Sequence, residues 1–237
     1  MKTLITLLLL LSLATLAQTR IIPFSTNPTT AGGGGGPEIL FTANAETGDL
    51  TQLSSTYTSG GATTIVATAG SKYAGTYGYE LTMDGTSQAE LQFTSLTRDT
   101  IYTSFYVMID PDWVSAASTA FLVMGVQIGW GERHLLLNVD CDGDGIPYRW
   151  AINYLSGGWT TNTTNFSLGE WHHVETRSVT GTGADAIHQL WIDDTLLLDV
   201  SDGTLSSNID TYWCGAIATS VTAGNWLYFD NIVIGVQ

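Results

Sequence analysis

Runs of β-branched and aromatic residues, each closed by a turn pair, set the limits on what this chain can fold into. Thr100 to Asp110 (TIYTSFYVMID) and Ala120 to Trp130 (AFLVMGVQIGW) are two such runs. Arg133 to Asp140, Tyr148 to Leu155, Trp171 to Val179, Ile187 to Asp193 and Trp226 to Ile234 are others. Residues of this kind fit a pleated, half-buried surface, so each run predicts a strand. Asp84-Gly85, Asp142-Gly143-Asp144-Gly145, Gly157-Gly158 and Asp202-Gly203 are the pairs expected to reverse the chain between strands. No window carries a helical period, Pro111 to Ser118 reads as a single turn, and no repeat of domain-building length is present. Many short strands, often apolar on both faces, predict an all-β fold of two stacked antiparallel sheets rather than an up-and-down barrel.

The strands occupy only part of the chain. Lys2, the apolar run Leu4 to Leu13 and the small residues around Ala17 have the layout of an export signal, so residues 1–17 are expected to be removed. Gln18, Thr19 and Arg20 end the apolar stretch too early for a membrane-spanning helix, which needs about 20 apolar residues. Residues 18–37 are rich in Thr, Pro, Ser and Gly, with five consecutive glycines at Gly32 to Gly36, and are expected to form a flexible linker. Residues 38–237 are then a single domain, and the protein is expected to be secreted or held at the cell surface.

Charge narrows the partners. With 22 acidic residues against 7 basic ones the formal net charge is −15, and loss of Lys2 with the leader takes it to −16. Phosphate-rich partners are repelled by such a chain, so nucleic acid and anionic membranes are excluded. The two cysteines, Cys141 and Cys214, leave two readings open for an exported protein: a disulfide closing a long loop, or two isolated thiols on strands. Asn162 and Asn165 each begin an Asn-x-Ser/Thr glycosylation pattern whose use depends on the host.

Four segments resemble one family. ILFTANAETGDL (Ile39 to Leu50), EWHHVE (Glu170 to Glu175), LWIDDTLLLDV (Leu190 to Val200) and YFDNIVIG (Tyr228 to Gly235) are similar to the concanavalin A-like lectin/glucanase superfamily, with its laminin G-like jelly-roll branch the nearest match. The resemblance implies a β-sandwich and a structural calcium between an early Glu-x-Gly segment and an Asp on the last strand. Glu46, Gly48 and Asp230 stand at those positions, and hard Ca²⁺ takes the oxygen ligands they offer. Asp140, Asp142 and Asp144 copy the opening of a calcium loop as well, but position 12 is Ala151 and a tight hairpin turn explains the same residues. In LWIDDTLLLDV a hairpin is expected to turn at Asp193-Asp194. His172 and His173, neighbours on a strand, face opposite ways, which argues against a two-histidine metal site.

For ligand binding, the aromatic and polar residues Trp130, Arg133, His134, Tyr148, Trp150, Tyr154 and Trp159 fall in one compact stretch of strands and loops. Rings there suit stacking against a sugar, or else they cover the sheet as core. The closely spaced Glu-x-Asp-x-x-Glu run of the superfamily's glycosidases is absent, and Glu132 and Asp140 are too far apart along the chain to replace it. Gln127, Arg133, His134 and Tyr148 supply the residue types of a uronate lyase without reproducing its motifs. The expected function is accordingly a non-catalytic carbohydrate-binding or adhesion module whose partner is a glycan or an extracellular surface protein. A polysaccharide lyase or glycoside hydrolase on the same fold is the alternative, and a structural surface protein with no sugar site the second.

Overall fold

The computed structural model describes residues 38–60, 64–115, 120–128, 132–154, 158–161, 166–182, 185–201, 204–205 and 208–236. The expected leader (1–17), the linker (18–37), Trp130, Asn162 and Asn165 lie outside the described residues, as do the side chains of Arg133, His134, Tyr154 and Trp159.

The described chain is built of strands joined by turns, with a 3₁₀ turn at Ala69–Ser71. In order the strands are β1 (Glu38–Ala43), β2 (Ser55–Ser59), β3 (Thr64–Thr68), β4 (Gly78–Arg98), β5 (Thr100–Ile109), β6 (Ala120–Ile128), β7 (Glu132–Cys141) and β8 (Pro147–Tyr154). There follow β9 (Gly158–Thr161), β10 (Trp171–Val179), β11 (Gly181–Thr182), β12 (Ile187–Ile192), β13 (Thr195–Ser201), β14 (Thr204–Leu205) and β15 (Ile209–Val236). Apart from the small β11–β14 pair, all belong to one hydrogen-bonded network of 13 strands, every pairing antiparallel. The predicted strands all form, several within a residue or two of their expected ends.

That network is two layers sharing two long strands. β4 and β15 pair with each other along most of their length, and the register breaks where Gly85 meets Val221 and again before Asn225. Gly85 has φ 66° and Gly224 φ 90°, left-handed values that glycine adopts without steric cost, so both strands change direction at this point. Asp84-Gly85, expected to reverse the chain, instead bends β4 within a strand. On one side of the bend the first layer runs β13-β12-β10-β5-β15-β4-β3, with β1 taking over beside β15 at its end. On the other side the second layer runs β9-β8-β7-β6-β15-β4-β2. The fold is the expected all-β, two-sheet antiparallel sandwich.

Alternation along each strand places the core between the layers. Leu81, Leu91 and Phe93 from β4, Phe105 and Val107 from β5, Leu135, Leu137 and Val139 from β7, and Tyr212, Leu227, Phe229 and Ile234 from β15 are buried together. Their strand neighbours point outward and are the residues available for function. Cys141 and Cys214 are both buried free thiols. Cys214 pairs with Met124, which pairs with Leu137, four residues from Cys141. Two strand spacings and four residues separate the α-carbons by roughly 16 Å. A disulfide needs about 7 Å or less, so the reading of two isolated thiols is the correct one. Among the described residues no helix is long and apolar enough to cross a membrane.

Candidate active site

The outer face of the second layer carries buried polar groups where an exposed sheet surface is expected. On β4 the core takes Ala89, Leu91 and Phe93, so Gln88, Glu90 and Gln92 point away from it. β2 pairs beside them, and the Ser55 hydroxyl donates to Gln92 Oε1 at 2.9 Å, which puts Ser55, Tyr57 and Ser59 on the same face, with Tyr57 directly opposite Glu90. Gln92 Nε2 donates to Glu90 Oε2 at 2.7 Å, and Glu90 is only 8% exposed.

The next two strands leave room beside Glu90. On β15 Gly215 stands opposite Glu90 and Trp213 opposite Gln92. A side chain at Gly215 would strike the Ala89 carbonyl oxygen at 2.0 Å, so the close approach of β4 demands glycine there. On β6 Gly125 pairs with Trp213, and a Cβ at Gly125 would meet the indole Nε1 at 2.6 Å. The Trp213 indole therefore lies flat across β6. Two residues along, Gln127 pairs with Thr211 on the same face. From β7, Asn138 adds an amide at 2% exposure, while Trp213 is 1% exposed. Neither the Trp213 Nε1–H nor the Asn138 side-chain nitrogen has an acceptor among the described residues. Buried N–H donors without partners cost roughly 1–3 kcal/mol each; Trp113 Nε1 and Trp150 Nε1 are of the same kind but lie in the core, whereas Trp213 and Asn138 stand on the outer side of the sheet.

The residues expected to bind ligand fall on β7, β8 and β9 of this layer, but the structure divides them. Trp150 is fully buried in the core, packed edge-on against Phe166 and His172. It shares the alternation of Tyr148 as expected, yet that side of β8 is the inner one, so Trp150 cannot stack on a sugar. Tyr148 is exposed at the strand's start with the Arg149 guanidinium 4.9 Å from its ring centre. Arg149 Nε also binds Asp140 Oδ2 at 2.8 Å. That ion pair and the turn beyond it account for the acidic run: Asp142 Oδ1 accepts the Asp144 and Ile146 N–H groups. Asp140, Asp142 and Asp144 therefore build a hairpin turn, not a calcium loop.

The other expected calcium site converges as foreseen, on a different partner. Glu46 Oε1 accepts the main-chain N–H groups of Thr76 and Tyr77 at 2.7 and 3.1 Å. Asp230 Oδ2 accepts those of Tyr73 and Ala74 at 2.9 and 3.0 Å, and its Oδ1 that of Asn231 at 2.7 Å. Gly48 closes a turn through its own N–H to the Ala45 carbonyl. Five N–H dipoles direct their positive ends at Glu46 Oε1 and the two Asp230 oxygens, so these carboxylates clamp residues 73–77 through the protein's own main chain. A different group, His173, Glu175 and Asp194, brings one ligand atom each within 4.8 Å on the first layer.

Sequence reasoning missed Glu90, Asn138 and Trp213. The alternation in QAELQF could have placed Gln88, Glu90 and Gln92 on one face, but their meeting with Trp213 and Asn138 depends on pairings between distant segments.

No protein-family model and no curated protein sequence matches the chain. Solved structures do share its fold. The endo-beta-1,4-glucuronan lyase from the fungus Trichoderma reesei is 12% identical, with 84% of this chain and 96% of that one covered at a TM-score of 0.66. The PL-14 alginate lyase from Aplysia kurodai is 11% identical over 79% and 93%, at 0.55. A carbohydrate esterase from the Shiga toxin-encoding bacteriophage phi24B is 15% identical over 85% and 100%, also at 0.55. These likenesses correct the expectation of a non-catalytic binding or adhesion module, since two of these solved structures are a glucuronan lyase and an alginate lyase and the third a carbohydrate esterase. By fold the chain is a jelly-roll β-sandwich similar to polysaccharide lyases and a carbohydrate esterase.

Proposed function

We propose that this chain is a polysaccharide-degrading enzyme that cleaves a uronic-acid polymer by β-elimination on the outer face of the second layer, acting outside the cell after loss of residues 1–17. The observation that carries the reading is the pair of buried, unpartnered donors, Trp213 Nε1–H and the Asn138 amide, facing the same surface as Glu90. The likeness in fold to glucuronan and alginate lyases supports it. Placement in the laminin G-like branch rests on the sequence motifs alone.

Elimination needs a group that withdraws charge from the sugar carboxylate, a base for the neighbouring proton and an acid for the leaving oxygen. Trp213 and Asn138, with Gln127 beside them, offer N–H donors to the carboxylate, which raises the acidity of the C5 proton. Glu90, across Gly215 from this donor set and held by Gln92 through Oε2, takes that proton. The C4–O bond breaks as a C4=C5 double bond forms, and the Tyr57 hydroxyl, on the strand beside Glu90, protonates the departing oxygen. Cβ atoms of directly opposed residues lie about 5 Å apart, so base and acid act from the same side of the sugar ring.

Product chemistry tests the reaction class. Incubation with glucuronan, alginate and a neutral glucan, followed by mass spectrometry, is expected to give oligomers with unsaturated non-reducing ends from a uronate polymer and nothing from the glucan. Saturated ends carrying a molecule of water would identify a hydrolase instead and overturn the proposal.

A further inference from the structure

The opposite side of the molecule carries a different kind of surface. On the outer face of the first layer six rings touch in an unbroken path. Trp226 stacks on Tyr228 at 3.9 Å, Tyr228 meets Trp171 at 6.4 Å, and Trp171 stands edge-on to Tyr73 at 5.7 Å. Tyr73 stacks on Tyr106 at 3.7 Å, and Tyr106 on His173 at 4.5 Å. None of these belongs to the core cluster, and Tyr73 is 46% exposed.

The path is held rigidly. The Asp230 carboxylate fixes the Tyr73 and Ala74 N–H groups, which presses the Tyr73 ring on Tyr106 and leaves its other side to solvent. The Ser104 hydroxyl pairs with His173 Nε2 at 2.8 Å and holds that ring in the stack. Burial, then the hydrogen bond to Tyr73, pushes the Tyr106 hydroxyl up to about 12, so it stays protonated. The interlocked stack keeps its rotamers before any ligand arrives, which lowers the entropic cost of binding.

Charge selects the occupant. Glu80 pairs with Tyr228 on β4, Glu175 follows His173 by two residues on β10, and Asp194 tips the β12–β13 turn above them. The cations nearby are Lys72 and Arg177, the latter drawn to Gln189 and the Tyr102 ring. The local negative charge of Glu80 and Asp194 disfavours a polyanion on this face, while these carboxylates accept hydrogen bonds from sugar hydroxyls and ring faces take the apolar side of a pyranose. We infer that this aromatic path is a second glycan-binding surface, separate from the eliminating face, whose occupant is a neutral polysaccharide chain. It anchors the enzyme to an uncharged matrix in which the acidic polymer is embedded.

Binding is read without catalysis, so its outcome is independent of the elimination reading. Co-sedimentation with microcrystalline cellulose and native gel retardation in xylan and in alginate are compared for the wild-type protein, Tyr73→Ala, Trp226→Ala and the double variant. The expected result is retention by a neutral glycan that falls at least tenfold in the double variant, with every variant still cooperatively folded at the assay temperature and turnover of soluble uronate polymer unchanged. Absence of retention by either neutral glycan, equal retention in alginate, or retention indifferent to both substitutions would each overturn the inference. So would a wild-type dimer in sedimentation velocity that the same substitutions dissolve, because a second copy would then cover the face.

Discussion

The indole of Trp213 lies across the α-carbon of Gly125 on the neighbouring strand, close enough that a single added methyl group would sit 2.5 Å from the ring. The glycine thus decides where the indole N–H points, and a strand position that looks dispensable becomes part of the site.

Gly125→Ala is expected to push the indole off β6. Overpacking of this kind costs about 1–3 kcal/mol, read as a lower denaturant midpoint at unchanged slope. Elimination should fall further than stability alone accounts for. Trp213→Phe, which removes the N–H and needs less room, is expected to restore the stability of the double variant but not its rate.

His172 and Asp193 form a pair whose strength depends on pH. His172 Nδ1 lies 2.7 Å from Asp193 Oδ2 and its Nε2 3.0 Å from the Ser167 carbonyl, so a protonated imidazole donates to both. Burial pulls the imidazole down, but those two acceptors and the charges of Asp193 and Glu170 outweigh it and the net shift is upward from 6.5. For Asp193 burial works upward, yet the His172 and His173 bonds hold it below 3.8. A raised histidine gives its full stabilisation below 6.5 and loses it as pH rises through the folded value. A depressed aspartate gives its own above 3.8 and loses it as pH falls through the folded value. Asp193→Asn, which still suits the positive φ of 48°, is expected to cost about 1 kcal/mol at pH 5 to 6, the bond being partly open to solvent. The deficit should shrink above neutrality in melts across pH.

Asp230→Asn removes the charge that gathers three main-chain N–H groups. Loss of charged hydrogen bonds at this buried site is expected to cost roughly 2–3 kcal/mol. Because the clamp uses N–H donors, a calcium chelator should leave the wild-type melting midpoint unchanged; a ligand bound only by the folded state would raise it. A drop on chelation would return a metal to the account.

A chain of net charge −15 and its polyuronate substrate repel each other at long range. Screening shortens that repulsion to about 10 Å at 0.1 M salt, so kcat/KM is expected to rise several-fold between low and moderate ionic strength while kcat stays level.

What the sequence showed was local. The Asp193-Asp194 hairpin was legible because both residues tolerate the positive φ values, 48° and 66°, that a two-residue turn requires. The Asp142 turn was legible for a similar reason. Alternation put Tyr148 and Trp150 on one side of a strand but carried no mark of which side met the core, so sugar platform and core stayed open for Trp150 until the pairing of β8 decided for the core. Glu46 and Asp230 were rightly brought to one place from opposite ends of the domain, yet main-chain donors have no signature in sequence and a cation stood in for them. Glu90, Trp213 and Asn138 come together only through the β4–β15–β6–β7 pairings, and the two glycines that open the surface between them read as ordinary strand interruptions.

The central claim is elimination at the outer face of the second layer. Its most direct test is the initial rate of unsaturated-uronate formation, followed by ultraviolet absorbance on glucuronan and on alginate, for the wild-type protein and Glu90→Gln at matched folding. The account predicts measurable turnover of at least one polymer and a loss of about 100-fold or more in kcat when the base is removed, within the range general-base catalysis contributes. No unsaturated product from either polymer, or an unchanged rate in Glu90→Gln, would contradict it.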